Sequence, residues 1–189
     1  MSMMDDVRVT PATTADAAAL ANLVNSAYRA QGQSAGWTHE VGLLAGARTD
    51  TASVSAMLAK GEATILLLSR ATDANLLGCI SVEPIDVARW YISMLAIDPE
   101  RQTGGYGRLL LTEAERFAHS RGAEYARMTV IRQRQTLIAW YERRGYHRTG
   151  EIIPFPYDDP SVGTPLRDDL QLVVLEKPLQ PTTAETIKS

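Results

Sequence analysis

Leu95-Ala96-Ile97-Asp98-Pro99-Glu100-Arg101-Gln102-Thr103-Gly104-Gly105-Tyr106-Gly107-Arg108 reads as the end of a strand, a glycine-rich turn and the start of a helix. Where such a turn feeds a helix, the first backbone N–H groups have no intrahelical acceptor and point together from the positive end of the macrodipole. They make a site for phosphate oxygens without side-chain help. Glycine suits the turn because an anion must touch the backbone and because the chain there can take positive φ. Arg101 and Arg108 add charge nearby. The stretch is not a P-loop, which requires Gly-Lys-Ser or Gly-Lys-Thr. Nor is it a dinucleotide fingerprint, since Leu110 stands where the third small residue belongs and several strands come before it. A turn with no ligand is the remaining reading of this segment taken alone.

Working outward, 126–131 reads as a strand, 136–144 as an amphipathic helix closed by Gly145, and 169–175 as a last strand. The helix after the glycines spans 109–121, with Leu110, Ala114 and Phe117 on one face and Gly122 as its stop. Upstream, 63–69 and 76–82 form a hairpin around Asp73-Ala74-Asn75, and 90–97 is a third long strand. Val7 and Val9 mark a first strand, Thr14 caps a helix running to 30, and 52–60 is a second helix ended by Gly61. Residues 31–50 form a connection long enough to expect a functional role.

Gln102-x-x-Gly105-x-Gly107, following a strand and opening a helix, resembles the acyl-CoA motif of the GNAT N-acetyltransferase superfamily. Trp140-Tyr141-Glu142-Arg143-Arg144-Gly145-Tyr146 resembles that family's second signature, a helix ending Tyr-x-x-x-Gly-aromatic. The order of elements agrees from 7 to about 175. The resemblance implies an α/β (α+β) GNAT fold in one domain, 1–178, followed by a flexible tail, 179–189. Its mixed, twisted sheet would carry two parallel strands, 90–97 and 126–131, splayed into a V. It also implies acetyl-CoA as co-substrate. Pantetheine would bond to backbone at Leu95 and Ile97, and an N–H at Leu95 or Ala96 would polarise the thioester carbonyl. The pyrophosphate would sit on N–H groups of Gln102, Thr103, Gly104, Gly105, Tyr106, Gly107 and Arg108. Tyr141 matches the tyrosine that protonates the leaving thiolate.

Transfer to an amine needs a neutral nucleophile, and an alkylammonium of pKa near 10.4 is neutral in only about one molecule in 2,500 at pH 7. A base is therefore expected. Many relatives place a glutamate on a splayed strand, but the matching positions here are Ser93 and Thr129. Glu83 is the best remaining carboxylate, with Glu40 and His39 as runners-up, and a water chain to bulk solvent is an equal alternative. Arg134 replaces a common asparagine and is expected to reach the nucleotide phosphates. Trp37, Glu40, Arg48, Tyr91 and Phe155 are expected to wall the acceptor pocket, Glu40 holding an ammonium and Arg48 a carboxylate. The acceptor would be a small-molecule amine. A silent acyl-CoA-binding module and a protein-modifying acetyltransferase are the alternatives.

The 189 residues carry a net charge of −3, with 45% hydrophobic and 22% charged residues, the profile of an ordinary globular domain. That balance argues against nucleic-acid and membrane partners and leaves a homodimer open. Between Arg101 and Arg148, ten arginines against four glutamates give +6, so the remainder carries −9, a half suited to attracting a cationic amine. No signal peptide or membrane span is read, and the single cysteine, Cys79, fits a reducing, cytoplasmic setting. Cys79 lies mid-strand without a partner histidine, which argues for an inert core thiol. The three scattered histidines offer no metal-ligand pattern.

Overall fold

The computed structural model describes residues 7–29, 40, 42–72 and 75–180. Its elements follow as β1 (Val7–Pro11), α1 (Ala17–Arg29), β2 (Leu44–Ala45), α2 (Thr51–Lys60), β3 (Thr64–Arg70), β4 (Leu76–Pro84), β5 (Arg89–Ile97), α3 (Tyr106–His119), β6 (Tyr125–Ile131), α4 (Gln135–Glu142), β7 (His147–Pro154), β8 (Thr164–Pro165) and β9 (Gln171–Pro178). Seven strands form one sheet in the order β1-β3-β4-β5-β6-β9-β7, with β2 and β8 as a separate ribbon. Every pairing in the large sheet is antiparallel except β5 with β6. The result is the mixed, helix-flanked sheet expected from the motifs.

The centre of the sheet is apolar on both faces because helices cover both. Ile65, Leu67, Cys79 and Ala96 pack against Leu20, Leu23, Val24, Ala27 and Tyr28 of α1. Leu66, Leu68, Ile80, Val82, Leu95 and Ile97 face Leu110, Leu111 and Ala114 of α3. A bulge in β5 sorts these two sets. Cys79 pairs with Ala96 but Ser81 pairs with Ser93, so β5 carries one extra residue there, and Met94 sits at φ 53. The insertion shifts the side-chain alternation by one. Leu95 and Ile97 therefore turn to α3, and the small Ala96 lies under α1.

Gly78 lets α3 approach β4. A Cβ there would lie 2.6 Å from Ile97 Cδ1, 2.8 Å from Leu110 Cδ1 and 2.9 Å from the Ala96 carbonyl oxygen. The last of these cannot rotate away. Gly78→Val is expected to cost about 3 kcal/mol by urea denaturation, as overpacking does. A loss below about 1 kcal/mol would refute this close approach.

Several elements differ from the sequence reading. The first helix is preceded by a 3₁₀ turn, Thr14–Asp16, where the Asp16 carboxylate accepts from the Thr13 N–H at 2.7 Å. α3 begins at Tyr106 because Gly105, at φ 74, closes a 3₁₀ turn over Pro99–Gly104 and opens the helix directly. The sequence carries no pattern that signals strand β7. It is an edge strand whose first six residues are exposed, and its register shifts between Arg148 and Ile152 around Gly150 at φ 88. An exposed, bulged edge shows no apolar alternation. The last strand runs to Pro178, and Leu179 then donates its N–H to Glu124 O at 2.7 Å. Of the expected tail, 181–189 lies outside the described residues. Among the described residues no helix is long and apolar enough to cross a membrane.

Candidate active site

β5 and β6 are in parallel register only over Arg89–Tyr91 against Tyr125–Arg127, and beyond that they part. The V expected from the motifs is therefore present. Its mouth holds a cavity of about 270 Å³ walled by both strands, α1, α4 and the segments around Leu44 and Phe155. On the β5 side, backbone from Ile92 onward has no strand neighbour toward β6. Two of its carbonyls are engaged by side chains. Tyr28 donates its hydroxyl to Leu95 O at 3.0 Å, and Gln102 Nε2 donates to Ile97 O at 3.3 Å.

Tyr141 reaches this cavity from α4, whose inner face also buries Leu137 and Ile138. Its ring meets Trp140 and Tyr146 edge-on at 5.0 and 5.7 Å. Its hydroxyl has no hydrogen-bond partner among the described residues. Burial holds its pKa well above the usual tyrosine range, a rise that Tyr28 reinforces and that Arg134 and Arg144 oppose. Tyr28 is pushed up to about 12, again chiefly by burial, with Arg48 opposing.

The strand positions where relatives carry a glutamate do line the cavity as Ser93 and Thr129. The Thr129 hydroxyl lies 2.6 Å from the Tyr91 hydroxyl, closing the base of the V. Glu83 is not on the cavity wall. It sits in register with Tyr91 on β4, on the same face of the sheet but one strand further out.

Glu40 is the one carboxylate among the described lining residues, and it is buried. It forms ion pairs with Arg29 and, at 3.7 Å, with Arg134. Arg134 thus pairs with Glu40 on the cavity wall, away from the role at the nucleotide phosphates expected from sequence. Arg48, Tyr91 and Phe155 also line the cavity, so four of the five expected acceptor residues converge there. Trp37, and His39 among the candidate bases, lie outside the described residues. From sequence Tyr28 belongs to the apolar stripe Leu20, Leu23, Val24, Ala27 and Tyr28 of the first helix. Its periodicity fits that role, and nothing local to it signals the hydroxyl's reach into the site.

At the glycine turn, Asp98 caps the 3₁₀ segment by accepting from the Glu100 N–H at 3.1 Å. A Cβ on Gly104 would lie 2.8 Å from the Tyr106 ring, whereas the same position on Gly105 meets nothing within 4 Å. Tyr106 itself is buried in the core, so the turn offers a ligand its backbone. The first i to i−4 bond of α3 runs from Leu109 N to Gly105 O, which leaves the N–H groups of Tyr106, Gly107 and Arg108 ahead of the ladder. Arg108, Arg143 and Arg144 are close enough that the first two, after burial, lower the pKa of Arg144. The Arg144 guanidinium lies 3.5 Å from the Trp140 ring centroid. An open strand edge, a backbone cradle with space above Gly105 and an arginine cluster fit the thioester, pyrophosphate and phosphate of an acyl-CoA.

Cys79 is fully buried, and desolvation pushes its thiol up to about 12. We expect no labelling of the folded protein by a thiol reagent at pH 8 and unimpaired turnover of Cys79→Ala. Rapid labelling, or loss of turnover without unfolding, would indicate an acyl-cysteine route. Among the described residues no three His, Cys, Asp or Glu side chains cluster as a metal site.

The comparisons with known proteins agree with this geometry. No curated protein matches the sequence. Among solved structures, a proposed acetyltransferase, yncA from Salmonella typhimurium, holds its cofactor acetyl-CoA. It superposes with a TM-score of 0.67 at 18% identity, covering 97% of this chain and 100% of that one. A spermidine N-acetyltransferase SpeG chimera from Vibrio cholerae and hSSAT gives 0.66 at 12% identity, covering 93% and 96%. The ribosomal-protein-S18-alanine N-acetyltransferase from Escherichia coli gives 0.63 at 14%, covering 97% and 99%. At these identities the likeness concerns the fold. A family model described as "Acetyltransferase (GNAT) family" matches residues 22–146, a span that contains both the glycine turn and the Tyr141 helix. The chain therefore belongs to the GNAT family of acetyltransferases.

Proposed function

We propose that the protein transfers the acetyl group of acetyl-CoA directly to a primary amine of a small molecule, with both substrates bound at once. The observation that carries this reading is the parting of β5 and β6 around a cavity that Tyr141 enters. A cavity of about 270 Å³ is below the usual range for drug-sized ligands and favours a small acceptor over a polypeptide. Acetyl-CoA would supply a thioester, in which the amine forms a C–N bond as the C–S bond breaks.

The chain's own residues would divide the work as follows. Backbone N–H groups of Tyr106, Gly107 and Arg108, ahead of the α3 ladder, hold the pyrophosphate beside the turn of Gln102, Thr103, Gly104 and Gly105, and the free edge of β5 at Leu95, Ala96 and Ile97 aligns the thioester arm. A backbone N–H at Leu95 or Ala96 stabilises the developing oxyanion. Tyr141, kept protonated by burial, donates its proton to the departing sulfur. Glu83, beside Tyr91 but off the cavity wall, accepts the amine proton through water. Acetyl-CoA dependence and the buried lone thiol suit a cytoplasmic protein.

The test is thiol release from acetyl-CoA across a panel of small amines, with product identified by mass. Acetylated small amine is the expected result. Tight CoA binding with no product from any amine would favour a silent acyl-CoA module. Product from peptide amines alone would favour protein modification.

A further inference from the structure

We infer that the acceptor amine carries an acidic group, a carboxylate or a phosphorus oxyanion, and that Arg48 receives it. The inference rests on the small-amine reading above and names the substrate class of that same cavity. Three charged side chains line the cavity among the described residues: Glu40, Arg48 and Arg134. Glu40 is already held between Arg29 and Arg134, and Arg29 is itself anchored by its Nε–H to Gly46 O at 2.7 Å. A carboxylate between two guanidiniums is a poor receiver for an ammonium. The role expected of Glu40 from sequence thus passes to holding the arginines in place.

Arg48 is different. Its backbone is pinned, with the N–H donated to Asn25 Oδ1 at 2.7 Å. Its half-buried guanidinium lies 5.7 Å from the Tyr28 ring centroid. Among the described residues no carboxylate comes within 4.0 Å of it. Asp159 feels its field, but that carboxylate is exposed and accepts from the Ser161 N–H at 2.8 Å.

The lining therefore carries one carboxylate against two guanidiniums. A half-buried guanidinium with no anion beside it among the described residues is costly, and a group that presents two oxyanion oxygens matches its paired donors. An acidic substituent on the acceptor supplies that anion. The same positive field disfavours a second ammonium, so a polyamine is the wrong acceptor. The −9 carried by residues outside 101–148 pointed the other way, because a chain-wide count does not see which charges line the site.

The experiment compares α- and ω-amino acids, aminophosphonates, the methyl ester of each carboxylic acid, and spermidine. Two readouts are taken on the full chain: kcat/KM for thiol release, and calorimetric binding with CoA present, which needs no turnover. The best acid should exceed its ester by about 10- to 100-fold, the worth of a charge-assisted hydrogen bond. In Arg48→Gln the acid-to-ester ratio should fall to near one, with Arg48→Lys between the two. The carboxylate and phosphonate arms identify the oxyanion. Equal use of acid and ester, preference for spermidine, or an unchanged ratio in Arg48→Gln would overturn the inference, even if acetyl transfer itself is observed. Arg48-dependent binding of acids with no acetylation of any amine would sustain it while overturning the acetyl-transfer reading.

Discussion

Replacing Tyr141 by phenylalanine is expected to lower kcat by about 10²- to 10³-fold while leaving KM for acetyl-CoA nearly unchanged, the signature of a lost general acid. The ring would keep its edge contacts with Trp140 and Tyr146, so the fold should survive. What disappears is a proton aimed into the cavity. A departing thiolate whose conjugate acid has a pKa of about 8.5 is mostly protonated at neutral pH, and the hydroxyl is placed to supply that proton as the C–S bond breaks. Burial raises the Tyr141 pKa above the ordinary 10, so the hydroxyl holds its proton throughout the neutral and mildly alkaline range. Deprotonation of this group removes activity only as the pH rises through that elevated value. The wild-type kcat should therefore show no alkaline decline below about pH 10, measured with saturating substrates in pH-matched buffers. Wild-type turnover in Tyr141→Phe, with CoA binding intact, would remove the tyrosine from the mechanism.

The second large effect is on stability. Glu40→Ala should cost about 3–5 kcal/mol in urea denaturation, because it leaves two guanidiniums facing each other without their shared carboxylate. The side chains of Arg29, Glu40 and Arg134 are 13%, 8% and 10% exposed, so water does little to replace the lost partner. Removing Arg29 as well should recover part of the loss. A double-mutant cycle of Glu40→Ala with Arg29→Met should show coupling of at least about 1 kcal/mol. Additive losses, or a single-variant cost below about 1 kcal/mol, would mean that the cluster is solvated and contributes little to holding the cavity open.

Features encoded within a few residues were legible in the chain. The turn from Leu95 to Arg108 announces itself through glycine, a following helix and the absence of a P-loop lysine, because backbone conformation is a local property. Tyr141 is legible through the spacing Tyr-x-x-x-Gly-aromatic at a helix end. Cys79 is legible as core because it stands between apolar strand neighbours. The α1 and α3 periodicities predicted which helix faces are buried, since a packed face must repeat with its element, while the unbroken apolar run of β3 matches burial on both its faces.

What depends on register and on long-range approach was not legible. No pattern near Met94 signals the extra residue in β5, yet that residue sorts Leu95, Ala96 and Ile97 between two cores. β7 hides because an exposed edge strand buries too little to show alternation. Above all, Arg134 and Glu40 are far apart in sequence, and only the closing of the fold makes them partners. Sequence by itself determined the strand-turn-helix scaffold, since that is written in local backbone rules, and its two motifs carried the resemblance that implied acyl-CoA. Tertiary structure alone decided the sign of charge on the described lining of the cavity between β5 and β6, because that sign is a sum over side chains brought together from separate elements.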